Sequence, residues 1–217
     1  MNYFAIFTLS FTIALSGALA PGPLLAAVVS QSARHGAKTG PLLILGHAIV
    51  ELAMVTLIVL GCARFMNNPV ILRTIALAGA GILAYFGISL LLSLKSASLE
   101  PSSAKQSNRH LTMMGITMSV SNPYWSVWWL TIGMGFVLVA QKRGLAGIAV
   151  FFLGHILADL AWYSFISFWL SKSAKRMNVR FYRVLLGICA FLLIGFGFCF
   201  AMYALGGMAQ VLIGSRQ

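Results

Sequence analysis

Between Leu42 and Cys62 the sequence carries a single charged side chain, Glu51, and apolar runs of similar length recur along the whole chain. About 20 consecutive apolar residues suffice for a helix to cross a hydrocarbon core of about 30 Å. The alternation of polar and apolar residues that a membrane barrel needs is absent. Only 8% of the 217 residues are charged, against roughly 25% in soluble domains. The mean hydropathy of +0.93 agrees. The chain therefore reads as an all-α integral membrane protein.

The net charge of +12 does not point to nucleic acid. The basic residues sit in short segments between apolar runs, where they act as topology signals. Six spans are expected, at about 4–33, 41–63, 73–94, 112–140, 146–170 and 184–206. Ten of the fifteen Lys and Arg residues fall in the first, third and fifth connections, which places these in the cytoplasm and both termini outside. "SGALAPG" contains a cleavage-like Ala18-x-Ala20. No basic segment precedes it and Pro21 would follow the cut, so the segment reads as a retained first span. Cys62, Cys189 and Cys199 form no CxxC pair and predict no disulfide framework.

A polar stretch, residues 96–111, divides the chain into 1–95 and 112–217, and the two parts resemble each other. "LGHAIVELA" (45–53) matches "LGHILADLA" (153–161) at Leu, Gly, His, Leu and Ala, with Glu51 aligned to Asp159. The same offset of 108 pairs Gly36 with Gly144, Gly79 with Gly187 and Gly87 with Gly195. Three spans per repeat is an odd number, so the second repeat enters the membrane inverted. The expected architecture is six transmembrane helices as a 3+3 inverted-topology repeat, a design common in secondary transporters.

Glu51, Asp159 and Glu100 are the only acids, and Glu100 lies in the polar stretch. No span holds a Lys or Arg in its interior to neutralise the other two. Intramembrane acids cost about 2.5–3.5 kcal/mol on insertion scales, so a symmetric pair points to a shared functional site. His47 and His155 precede the acids by four residues and share their helix faces. They could relay protons, bind a divalent metal with the carboxylates, or tie neighbouring helices together. The tying or tuning role is slightly preferred, because "GH" fits tight helix packing.

The first and fourth spans, about 30 residues each, are interrupted by "APGPL" (20–24) and "SNPYW" (121–125). Pro23 after Gly22, and Pro123 after Asn122, suit the start of a fresh half-helix. Such N-termini offer free N–H groups and a positive dipole end. Half-helix ends would attract a carboxylate, and Glu51 and Asp159 an ammonium or a proton. A zwitterionic amino acid satisfies both. Tyr124 and Trp128, beside the break, are candidate pathway aromatics.

These residues resemble the LysE/RhtB family of amino-acid exporters. The resemblance runs through "APGPLLAAVVSQSARHGAKTG", "LGHAIVE", the "SNP" break and "LGHILAD", nearly the whole chain. It implies a small multi-pass inner-membrane exporter driven by proton or ion gradients. It also implies functional roles for Glu51, Asp159, Pro21, Gly22, Pro23, Asn122 and Pro123. Tyr124 stands where the family often has Lys, and Glu51 where Asp is common. The expected partners are the lipid bilayer, an amino acid and H+, with a second copy of the chain as a candidate; no cofactor is expected.

Two other functions compete. A divalent-cation exporter would make His47, His155, Glu51 and Asp159 direct ligands. A membrane thiol–disulfide electron carrier would need symmetric cysteines, where this chain has Pro and Gly. An integral-membrane hydrolase lacks a nucleophile, base and orienting group.

Overall fold

The computed structural model describes residues 1–19, 22–61, 69–95, 107–173 and 178–214. Among these the regular structure is entirely helical. Helix α1 (Tyr3–Ala18) begins where the Asn2 side chain accepts a hydrogen bond from Ala5 N at 2.8 Å. Helix α2 (Pro23–His35) starts after an extended Gly22, with proline in the first turn, where its missing N–H costs nothing. The two helices are bent by 73° to one another. Helices α3 (Thr39–Val59) and α4 (Pro69–Ser93) follow.

The fourth expected span is subdivided. Helix α5 (Asn108–Val120) is capped by Ser107, which accepts from His110 N, so helix begins inside the stretch 96–111 that reads as linker. After Ser121 and Asn122 come α6 (Pro123–Trp128), a wide π-turn (Trp129–Gly133) and α7 (Met134–Gln141). Gly133 leaves room there: a Cβ on it would lie 2.6 Å from the Trp129 ring and 2.9 Å from that of Trp128. Helices α8 (Gly144–Ser173) and α9 (Val179–Gly214) complete the chain.

Among the described residues four helices are long and apolar enough to cross a membrane, or five if the bent α1–α2 pair is one span. The broken α5–α7 segment is not among them. The helices are inside out relative to a soluble protein: on α3, Leu45, Ile49 and Leu52 are exposed while His47 and Glu51 are buried. On α8, Leu153 and Leu157 face outward while His155 and Asp159 are buried. A face of this kind is stable against lipid, not water.

The most extensive contacts pair α4 with α9, α1 with α8 and α3 with α5. Glycines permit the last two. Gly46 on α3 lies against the Thr112 carbonyl of α5, and Gly115 of α5 against the Leu43 carbonyl. On α8, a Cβ at Gly154 would meet the Phe7 carbonyl of α1 at 2.7 Å. The "GH" glycines thus serve close helix packing. Gly36, ending α2, and Gly144, opening α8, have φ of +81° and +65°, in the region glycine favours.

Candidate functional site

Helices α3 and α8 cross where each carries its His and acid one turn apart. All four side chains are at least nine-tenths buried and converge. His47 Nε2 lies 3.0 Å from Glu51 Oε1 and 3.6 Å from Asp159 Oδ2. His155 Nε2 lies 3.2 Å from Glu51 Oε1 and 3.7 Å from Asp159 Oδ2. Glutamate is one methylene longer than aspartate, and it is Glu51 that reaches both imidazoles.

Two indoles complete the surroundings of Glu51. Trp129 Nε1 donates to Oε1 at 3.2 Å and Trp125 Nε1 at 3.3 Å. Spaced four apart across α6 and the start of the π-turn, they point the same way. Trp128 packs its ring 5.0 Å from that of His155. Ser119 on α5 lies 2.6 Å from His47 Nδ1 and gives its own proton to the Gly115 carbonyl at 2.7 Å. A hydroxyl has one proton, so Nδ1–H is the donor to Ser119. The Nε2–Oε1 contact of His47 therefore needs a proton on one of its two atoms, since a bare imidazole nitrogen and a carboxylate oxygen are both acceptors. The contact between His155 and Glu51 needs another when its Nδ1 holds the ring's one neutral-state proton.

The cluster is not fully satisfied. Glu51 Oε2, His155 Nδ1 and Asp159 Oδ2 are buried with no hydrogen-bond partner. Orphaned polar atoms are costly, and at functional sites they mark places where a proton or ligand arrives. Beside them lies a cavity of about 70 Å³, bordered by Gly17, Leu24, Met118, Asn122 and Tyr163. His47, Glu51 and Asp159 each offer a ligand atom within 4.8 Å of the others, so the set can hold a proton or a divalent cation.

Both helix breaks approach this cavity. Leu24, in the first turn of α2, and Asn122, before α6, border it. Gly22 precedes the α2 turn, and Tyr163 donates to the orphan Ala18 carbonyl at the end of α1, at 3.4 Å. Pro23 faces a second, larger cavity. Pro21 lies outside the described residues. Pro123 and Tyr124 open α6, but their side chains are outside the described part. Sequence reasoning singled out Tyr124 and Trp128 and passed over Ser119, Trp125 and Trp129 as contacts of the cluster. The Trp125/Trp129 spacing after the break was the available signal for two of these; Ser119 had none.

Described residues whose regular structure is helical throughout, with outward apolar faces and an acid–histidine cluster buried between them, make this a multi-pass membrane protein. The profile of the LysE type translocator family matches residues 15–204. The chain belongs to that family of membrane translocators. It is 25% identical over 209 residues to the "Putative amino acid efflux protein YcgF" of Bacillus subtilis, covering 95% of this chain and 99% of that protein. It is 24% identical over 192 residues to the "Chemotactic transduction protein ChpE" of Pseudomonas aeruginosa, covering 88% and 95%. A third relative, the "Uncharacterized membrane protein YrhP" of Bacillus subtilis, is 28% identical over 198 residues, covering 85% and 93%. No solved structure matches significantly.

Proposed function

We propose that the chain is a secondary-active inner-membrane exporter of amino acids or related small zwitterionic metabolites, moved in exchange for protons. The observation that carries this reading is the convergence of His47, Glu51, His155 and Asp159, one His and one acid from each of two like sequences, around unsatisfied buried atoms. A cluster that must hold protons to be stable, inside a translocator, is suited to carry them. Amino acids enter the proposal through the name of the Bacillus relative and the family resemblance.

The architecture proposed is six spans in a 3+3 inverted repeat, with the first and fourth spans broken and both termini outside. Three observations favour it. Gly36 and Gly144, 108 positions apart, both have positive φ. Gly46 packs on α5 while its counterpart Gly154 packs on α1, which is the exchange a two-fold axis requires. The third expected spans, α4 and α9, pack on each other. The half-helix ends at Gly22, Pro23, Asn122 and Pro123 would receive a substrate carboxylate, and Trp128 would wall the pathway.

A second reading, divalent-cation export, is favoured by the spacing of His47, Glu51 and Asp159. Purified protein in liposomes, with an imposed pH gradient and a panel of amino acids and divalent metals, separates the two. Gradient-dependent amino-acid flux supports the first. Metal flux without it supports the second, and neither flux would reject both.

A further inference from the structure

One stripe of α2 has no part in the buried cluster. Pro23, Ala26, Ala27, Ser30, Gln31 and Arg34 recur at i, i+3, i+4 and i+7, on one face of the helix. This face lines a cavity of about 470 Å³, closed on the other side by Phe86, Leu90, Leu186 and Leu193. Small residues at 26, 27 and 30 make the hollow. Polar groups gather at its far end: the Gln31 Oε1 is buried without a hydrogen-bond partner, and Arg34 stands exposed at the rim. The ion pairs among the described residues leave Arg34 without a carboxylate. Met118 borders both this cavity and the small one beside Glu51 and Asp159.

The volumes divide the labour. Pockets that enclose metabolites run from about 300 to 1,000 Å³. The space of about 70 Å³ beside the acids is far below that range and suits a few waters and a proton. The larger one lies within it.

We infer that the α2 cavity is the loading site for the transported molecule, a small carboxylate with an apolar body whose carboxylate is held at Arg34 and Gln31. This rests on the transport reading above. A guanidinium binds a carboxylate through paired N–H donors, and an amide offers a further N–H through rotation of Gln31. The leucines and Phe86 take the side chain. Eleven residues of helix, about 16 Å, separate Arg34 from Pro23, so a small molecule can move along the stripe toward the start of α2. The rim lies at the basic connection after α2, the side from which an exporter must load.

The test uses Ser30→Cys in a full-length chain with Cys62, Cys189 and Cys199 replaced by serine, purified and probed with a maleimide. L-leucine and hexanoate are expected to slow labelling, and hexylamine is not. Arg34→Gln should raise the half-protecting concentration about tenfold, the worth of one charge-assisted hydrogen bond, and Arg34→Lys should restore most of it. Ala27→Phe, which fills the hollow, should abolish protection. In case the cysteine-free chain does not fold, the KM for L-leucine counterflow without a pH gradient reads the same shift in the native chain. Protection by hexanoate without any amino-acid transport would overturn the amino-acid reading and keep the site. No protection by either carboxylate, protection undiminished in Arg34→Gln, or protection by phosphatidylglycerol vesicles alone would overturn the site.

Discussion

Glu51 and Asp159 stand 108 residues apart in like sequences, yet their surroundings differ. Glu51 Oε1 lies within 3.3 Å of four nitrogens, whereas Asp159 Oδ2 comes no nearer than 3.6 Å to either imidazole. The histidines differ in the same direction: Ser119 accepts from His47 Nδ1, while His155 Nδ1 has no partner. At the offset of 108 the counterparts of Ser119, Trp125 and Trp129 are Phe11, Gly17 and Pro21, none with a side-chain donor or acceptor. Around the π-turn, Trp128, Trp129, Val137 and Phe151 form a dense core, whereas the α2 stripe from Pro23 to Arg34 borders an open cavity. A symmetric charge set is thus held in an asymmetric frame. Donors from α6, the π-turn and both histidines fix Glu51, while Asp159 is left available, a difference suited to a site that takes up and releases a proton.

The largest expected effect contrasts the two acids. Glu51→Leu leaves two buried imidazoles and two indole N–H groups without their acceptor. Unfolding in detergent should show a loss of about 3–5 kcal/mol, the cost of breaking a buried pair. Asp159→Leu should cost clearly less. Equal losses would remove the distinction between a fixed and an available acid.

The helix crossings give the next contrast. Gly46→Ala drives a methyl into the α5 backbone at Thr112 and Ile116, and overpacking of this kind costs about 1–3 kcal/mol. Gly154→Ala meets the Phe7 carbonyl at a longer separation and should destabilise less, by thermal melting. The reverse order would show that α1 against α8 is the tighter crossing.

The indoles follow. Trp129→Phe keeps the ring's bulk and removes one donor to Glu51, which is worth about 1.5–3 kcal/mol for a charged acceptor. Trp125 is only half-buried, so Trp125→Phe should lose less. The smallest effect is in the turns. Gly36→Ala and Gly144→Ala should each cost about 1–3 kcal/mol of backbone strain, since both carry positive φ and open space around them. A marked difference would show that the two turns are not equivalent.

Much of the fold was legible in the sequence because membrane helices announce themselves by length and apolarity. The charge pair was legible for a related reason: an acid in an apolar run has few structural excuses, and its recurrence at one offset suggested a shared site. The Pro-based breaks were readable from capping chemistry, and α2 begins at Pro23 and α6 at Pro123. What escaped depends on which faces meet. Ser119 is an ordinary helical serine until α5 packs on α3 through Gly46 and Gly115. The indoles of Trp125 and Trp129 looked like lipid or packing residues until the fold turned both N–H groups to Glu51 of α3. The α2 cavity depends on α4 and α9 standing away from small residues, and no local pattern in the sequence encodes that gap.

The central claim is that the buried His–acid cluster carries the proton that drives substrate movement. The most direct measurement follows a pH-sensitive dye inside proteoliposomes while L-leucine flows down its gradient, for the native chain and for Asp159→Asn. The account predicts leucine-dependent proton movement in the native chain, and in Asp159→Asn its loss with leucine exchange retained. Proton movement of native size in Asp159→Asn would contradict it.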